Sequence, residues 1–179
     1  RGNFAVQPTD KGFELAAPRS LTFGAWNKQG YPFFSDAVSY ETTVDVPLGV
    51  NRARITLPEW SGSVVEVLLD GQRAGIVVWP PYELETPVAA GRHTVSARVV
   101  STPRNMFGPF HNPEKPRMRA WPVHWSRFPE RQPPGSDYDL VDYGLTAPFQ
   151  IRAVIDRTVA PSSLERPAGT PPGQTTKRK

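Results

Sequence analysis

The chain contains no cysteine, which excludes disulfides and cysteine-ligated metals and leaves the redox compartment open. It has no apolar run approaching the ~20 residues that a membrane-spanning helix needs. Helical periodicity is nearly missing. No window of a dozen residues keeps an apolar stripe at i, i+3, i+4 and i+7 free of proline and glycine. The chain also lacks a Gly-x-Ser-x-Gly nucleophile elbow, a phosphate-binding loop and a dinucleotide-binding glycine pattern. Its three histidines, His93, His111 and His124, have no second histidine at ligand spacing, which argues against zinc.

Positive charge is missing where a nucleic-acid binder needs it. The net charge is +4, and the segment after residue 156 accounts for all of it: Arg157, Arg166, Lys177, Arg178 and Lys179 stand against Glu165. Residues 1–156 are therefore formally neutral and carry no basic footprint for phosphates, so neither nucleic acid nor membrane is an expected partner. The composition of 157–179 (Pro, Ser, Thr, Gly, Lys, Arg) cannot bury enough surface to fold and reads as a disordered basic tail. The first residue is Arg1, with no Met and no signal-peptide pattern, so the chain reads as an excised or processed piece.

What is present is strand punctuation. Val38, Tyr40, Thr42, Val44 and Val46 alternate with Ser39, Glu41, Thr43 and Asp45, the period-two pattern of a half-buried strand. Shorter strands are expected at Gly12–Ala16, Ser20–Trp26, Arg54–Leu57, Ala74–Trp79 and Thr94–Val99. Val65, Val67 and Leu69 alternate with Glu66 and Asp70, and Asp70-Gly71 then marks a tight hairpin. A last strand covers Phe149–Val154. Short strands at regular spacing predict an all-β antiparallel sandwich, and the late return of the last strand suits a Greek-key or jelly-roll connection. One domain is expected over 1–156, with a long proline-rich excursion at 101–147. Phe107, Phe110, Trp121, Trp125, Phe128, Tyr138 and Tyr143 make that excursion too aromatic for a linker, so it is expected to be ordered and packed over the sandwich.

Several features occur in a fixed order. Gly30-Tyr31-Pro32-Phe33-Phe34-Ser35 leads into the Tyr40 strand and the Asp70-Gly71 hairpin. Trp79-Pro80-Pro81-Tyr82-Glu83-Leu84, Gly91, the strand Thr94–Val99, Arg104-Asn105, Gly108-Pro109 and His111 follow. As an ordered set they resemble the galactose-binding-domain-like β-sandwiches attached to large bacterial glycoside hydrolases of the rhamnosidase and β-galactosidase types. The resemblance covers roughly residues 20–111 plus the last strand. It implies a jelly-roll accessory domain, carbohydrate and the catalytic domain of a parent glycoside hydrolase as partners, and a secreted or cell-envelope location. The segment 112–144 departs from the family pattern.

Chemistry read from the residues points to binding rather than turnover. Glycoside hydrolysis needs two facing carboxylates, and Glu41, Asp45 and Glu66 fall on solvent-side strand positions. Sugars offer flat C–H faces to aromatic rings with polar groups around them. Trp26, Tyr31, Trp121 and Trp125 are the candidate rings; Arg104 and Asn105 would bond hydroxyls, with His111 as a loop hydrogen-bonding residue. The competing reading is that these rings pack the excursion onto the sandwich or meet a neighbouring domain. No cofactor is expected. Asp137, Asp139 and Asp142 could at most pin a loop around a structural calcium, and they lack the helix–loop–helix calcium pattern. Two other functions compete with the accessory role. One is a small free-standing lyase or hydrolase with a loop site around His111, Tyr138 and Asp139. The other is a protein-interaction domain that docks through its basic tail.

Overall fold

The computed structural model describes residues 3–107 and 132–155. In chain order the strands are β1 (Ala5–Thr9), β2 (Gly12–Ala16), β3 (Ala37–Val46), β4 (Arg52–Thr56), β5 (Trp60–Ser61), β6 (Val64–Leu69), β7 (Gln72–Val77), β8 (Glu83–Pro87), β9 (Gly91–Val100), β10 (Gly144–Leu145) and β11 (Gln150–Val154). Single helical turns occur at Trp26–Gln29, Arg104–Phe107 and Gly135–Asp137.

Two antiparallel sheets form the sandwich. The larger runs β3-β9-β6-β7 and the smaller β11-β4-β8. Among consecutive strands of these sheets, β6 and β7 are neighbours; every other step, from β3 to β4 through β9 to β11, changes sheet. The hairpin is set by residues 70 and 71. Asp70 and Gly71 take φ of 50° and 77°, which pairs Leu69 with Gln72 across a tight turn.

The expected alternation decides which faces meet. Tyr40, Val46, Val65, Val67, Val77, Val95, Ala97 and Val99 point inward from the large sheet. Ala53 and Ile55 of β4, with Leu57 and Val88 just beyond strand ends, meet them from the other layer. Each valine or leucine so buried stabilises the fold by about 1.5–3 kcal/mol. Thr42 shares the inward parity of β3 yet is exposed, so the pattern breaks at the middle of that strand. Outward faces carry ion-pair ladders. Glu66 lies between Arg98 (3.1 Å) and Arg73 (3.3 Å), and Arg54 reaches Glu85 (2.6 Å) and Glu83 (3.8 Å).

Three expectations about strands change. Ser20–Trp26 is not a strand. Its Gly24 and Trp26 amides reach the carbonyls of Leu145 and Tyr143 at 2.9 and 2.8 Å, so the backbone is satisfied by isolated bonds rather than a ladder. The return strand is Gln72–Val77, and Val78 and Trp79 run past it. β1 and β8 were not expected, because Pro8 and Pro87 disguise them. Proline cannot donate to a ladder, which reduces its strand signal without forbidding a short strand.

Parts of the excursion are firmly built in. Tyr143 and Leu145 are buried in the core, and β10 pairs with β5. Gly144 is required there: its φ is 143°, and a Cβ would stand 2.4 Å from the Gly24 carbonyl oxygen. Residues 108–131, with His111, Trp121 and Trp125, and the tail at 157–179 lie outside the described residues.

Candidate functional site

A cleft of about 470 Å³ opens among segments that belong to neither main sheet. The β1–β2 hairpin supplies Gln7 and Phe13, the next segment Arg19, the first helical turn Asn27 and Lys28, and the segment after Gly135 supplies Tyr138 and Asp142. Short contacts join these pieces. The Val6 amide donates to the Gly30 carbonyl at 2.8 Å. Gly135 lies so close to Gly12 that a Cβ would be 2.3 Å from the Gly12 carbonyl oxygen.

One wall is aromatic. Phe13 packs edge-on against Phe33 (4.9 Å between ring centroids) and Tyr138 (5.1 Å). The Gln132 side-chain amide donates to the Tyr138 hydroxyl at 2.8 Å. Other lining residues form a charged network. Asn27 Nδ2 donates to Asp142 Oδ1 at 2.7 Å, and Lys28 Nζ donates to Asp142 Oδ2 at 2.5 Å.

Arg19 stands apart from that network. The Tyr31 hydroxyl accepts from the Arg19 amide (2.9 Å) and donates to the Arg19 carbonyl (2.5 Å). The backbone at residue 19 is thereby held on both sides, directly after Pro18, whose φ is fixed by its ring. The guanidinium itself has no hydrogen-bond or ion-pair partner among the described residues. Among the described lining residues Arg19 and Lys28 are set against Asp142, two cations to one acid.

The residues expected to contact sugar are arranged differently from a single open face. Trp26 is 1% exposed; its indole N–H donates to the Tyr40 hydroxyl at 2.7 Å, and its ring packs against Phe34 and Tyr143. Its surroundings put it in the core, where it anchors the turn that presents Asn27 and Lys28. Tyr31 spends its hydroxyl on Arg19. Arg104 is paired with Asp139 at 3.2 Å. Asn105 is 3% exposed and faces the Val141 backbone, donating to its carbonyl and accepting from its amide, both at 2.9 Å. With one donor and one acceptor spent on Val141 and almost no exposed surface, this amide is out of reach of a ligand in that geometry. Arg19, Asn27, Lys28 and Gln7 were not expected in a site. No spacing marks them, since they are assembled by the packing of three separate segments.

Other chemistry-bearing groups are already engaged. His93 Nδ1 bonds Asp70 Oδ2 at 2.6 Å and its Nε2 faces the Ala89 carbonyl at 3.0 Å. The hydrogen bond that His93 gives to the Asp70 carboxylate raises the His93 pKa, and the same bond, with the Thr94 amide, lowers that of Asp70. Both ring nitrogens are used in bracing a turn. Asp137, Asp139 and Asp142 do not converge: Asp139 meets Arg104, Asp142 meets Asn27 and Lys28, and Asp137 contacts Ser136. Among the described residues no group of three or more His, Asp or Glu side chains could hold a metal. No described helix is long and apolar enough to cross a membrane.

No protein-family model matches the chain. No curated protein matches it. Among solved structures it is similar to a rhamnosidase from Novosphingobium sp. PP1Y, with 22% identity and a TM-score of 0.50, over 83% of this chain and 14% of that one. Weaker likenesses include a GH2 β-galacturonidase from Eisenbergiella tayi (22% identity, TM-score 0.36, 60% of this chain, 18% of that one). Another is a Bifidobacterium dentium β-glucuronidase (16% identity, TM-score 0.36, 54% and 19%). The rhamnosidase likeness shows the shared sandwich fold. The chain spans about a seventh of the length of that enzyme.

Proposed function

We propose that the chain is a non-catalytic module of a carbohydrate-active enzyme and that it holds carbohydrate in the cleft. The observation that supports this reading is the make-up of the cleft. Phe13 and Tyr138 line it together with an amide–carboxylate–ammonium network of Asn27, Asp142 and Lys28. That combination suits a ligand with C–H faces and many hydroxyls. The volume, about 470 Å³, falls in the usual range for small-ligand sites. The fold likeness adds support, because the matched part of the rhamnosidase is a small share of a longer enzyme. The described acids are held by basic partners or face solvent, which suits binding better than acid–base turnover.

Calorimetric titration of the purified chain with a panel of plant and cell-wall oligosaccharides tests the reading. Saturable heat that falls at least fivefold in Asn27→Ala supports it; no heat with any member removes the cleft as a sugar site. Trp121→Ala and Trp125→Ala in the same titration show whether those rings add a second contact. Reducing sugar released from any panel member by the chain alone would overturn the non-catalytic part.

Docking onto a catalytic domain is a second reading, favoured by one patch. Trp79 is 73% exposed, with Ile76 (48%), Val78 (39%) and Tyr82 (37%) nearby in sequence, and β7 is an edge strand. Exposed apolar groups of this kind suit an interface. In a protein that joins this module to a catalytic domain, Trp79→Ser should speed proteolytic cutting between the two; an unchanged cutting rate counts against docking by this patch.

A further inference from the structure

We infer that Arg19 makes the cleft select sugars bearing a carboxylate over their neutral counterparts. The inference rests on the reading of the cleft as a carbohydrate site and names the substrate class.

The charge arithmetic comes first. Among the described lining residues Asp142 is the one acid, and both its oxygens are already taken, one by Asn27 and one by Lys28. The Lys28 charge is thereby answered, and an incoming anion meets a neutralised pair rather than a bare carboxylate. Arg19 has no such answer among the described residues. Among the described lining residues it is the cation with no acid beside it.

Its placement makes that charge usable. The bond that the Tyr31 hydroxyl accepts and the one it donates, together with Pro18, fix the main chain at residue 19. A guanidinium on a fixed stem loses less freedom on binding than one on a mobile loop. Its planar fork also matches the planar carboxylate of a uronic acid, which can accept two parallel N–H bonds. A lysine at this place would offer a point charge without that match. The aromatic wall and the Asn27 amide remain for the ring and hydroxyls common to neutral and acidic sugars. Ring recognition and charge recognition thus fall on different residues, and they can be separated.

The test pairs neutral and acidic sugars of the same stereochemistry, galactose with galacturonate and glucose with glucuronate as short oligomers, titrated calorimetrically in low salt. The expected result is at least tenfold tighter binding of the acidic member. Arg19→Gln should abolish the preference by weakening the acidic member, with thermal unfolding unchanged because the side chain is exposed. Arg19→Lys should retain part of it. Tyr31→Phe should lower it with the charge intact, since the main chain at residue 19 is then released. Added salt should weaken the acidic member and spare the neutral one. Equal affinity for both members, or a preference that survives Arg19→Gln or disappears only in Lys28→Met, overturns the inference and leaves the carbohydrate reading standing. Binding of neither member overturns both.

Discussion

Replacing Asn105 by alanine should cost far more than its place in a short helical turn suggests. The side chain stands in for a neighbouring strand: it donates to the Val141 carbonyl and accepts from the Val141 amide, each at 2.9 Å. Alanine removes both bonds, and the Val141 amide and carbonyl are left in a partly buried site. A buried polar group without a partner costs about 1–3 kcal/mol. Two such groups, with some relief from entering water, give a loss of about 3 kcal/mol. For a chain of this size that lowers the midpoint of thermal unfolding by about 6–12 °C. Near-ultraviolet circular dichroism follows the transition, and hydrogen exchange at residues 139–143 locates the opening. Asn105→Asp sharpens the test. A carboxylate still accepts from the Val141 amide but turns an acceptor toward the Val141 carbonyl. Its deficit relative to the parent should therefore shrink in acid, where the protonated group can donate again. A midpoint within 2 °C of the parent for Asn105→Ala, or a pH-independent deficit for Asn105→Asp, would refute the clamp.

Three further outcomes are expected. Gly144→Ala should destabilise by about 3 kcal/mol or more, since a Cβ meets the Gly24 carbonyl at 2.4 Å and the Trp26 indole nitrogen at 3.0 Å on a backbone with φ of 143°; chemical denaturation measures the loss, and an unchanged midpoint would count against the packing described. The His93–Asp70 pair should add most between about pH 4 and pH 6.5. The raised His93 contribution is complete below the ordinary histidine value and fades as pH climbs through its folded value; the lowered Asp70 contribution is complete above the ordinary aspartate value and fades as pH drops through its folded value. Unfolding midpoints of the parent and His93→Gln across pH should therefore differ most in that window and converge toward alkaline pH; a constant gap would contradict the ionic pairing. Trp79→Ser should leave the thermal midpoint of the isolated chain within about 2 °C, because its ring is mostly in solvent.

The sandwich was legible wherever residue type and position agreed. The Val38–Val46 run, the Val65–Leu69 run and the Asp70-Gly71 turn each declare a strand or a reversal through local chemistry, and the structure pairs them accordingly. Binding residues were harder to read, because an aromatic side chain looks the same in sequence whether it faces water or the core. Trp26 and Tyr31 carried that ambiguity. One lies against Tyr40 and the other spends its hydroxyl on Arg19. Asn105 was read as a hydroxyl binder and instead serves the main chain of Val141, thirty-six positions away in the chain. Arg19, Asn27, Lys28 and Asp142 could not be read as a group, since the bonds that join Asn27 and Lys28 to Asp142 span 115 and 114 positions of the chain.

The placement of β4 in the middle of its sheet has a consequence for biosynthesis. One flank is covered early by β8, with Ile55 opposite Leu84, but the other waits for Ile151. Until the ribosome has delivered Val154, that flank offers unpaired amides and carbonyls to any extended segment nearby. Nascent or truncated chains lacking β11 should therefore be the sticky species, and a holding chaperone would be needed until that strand has been made.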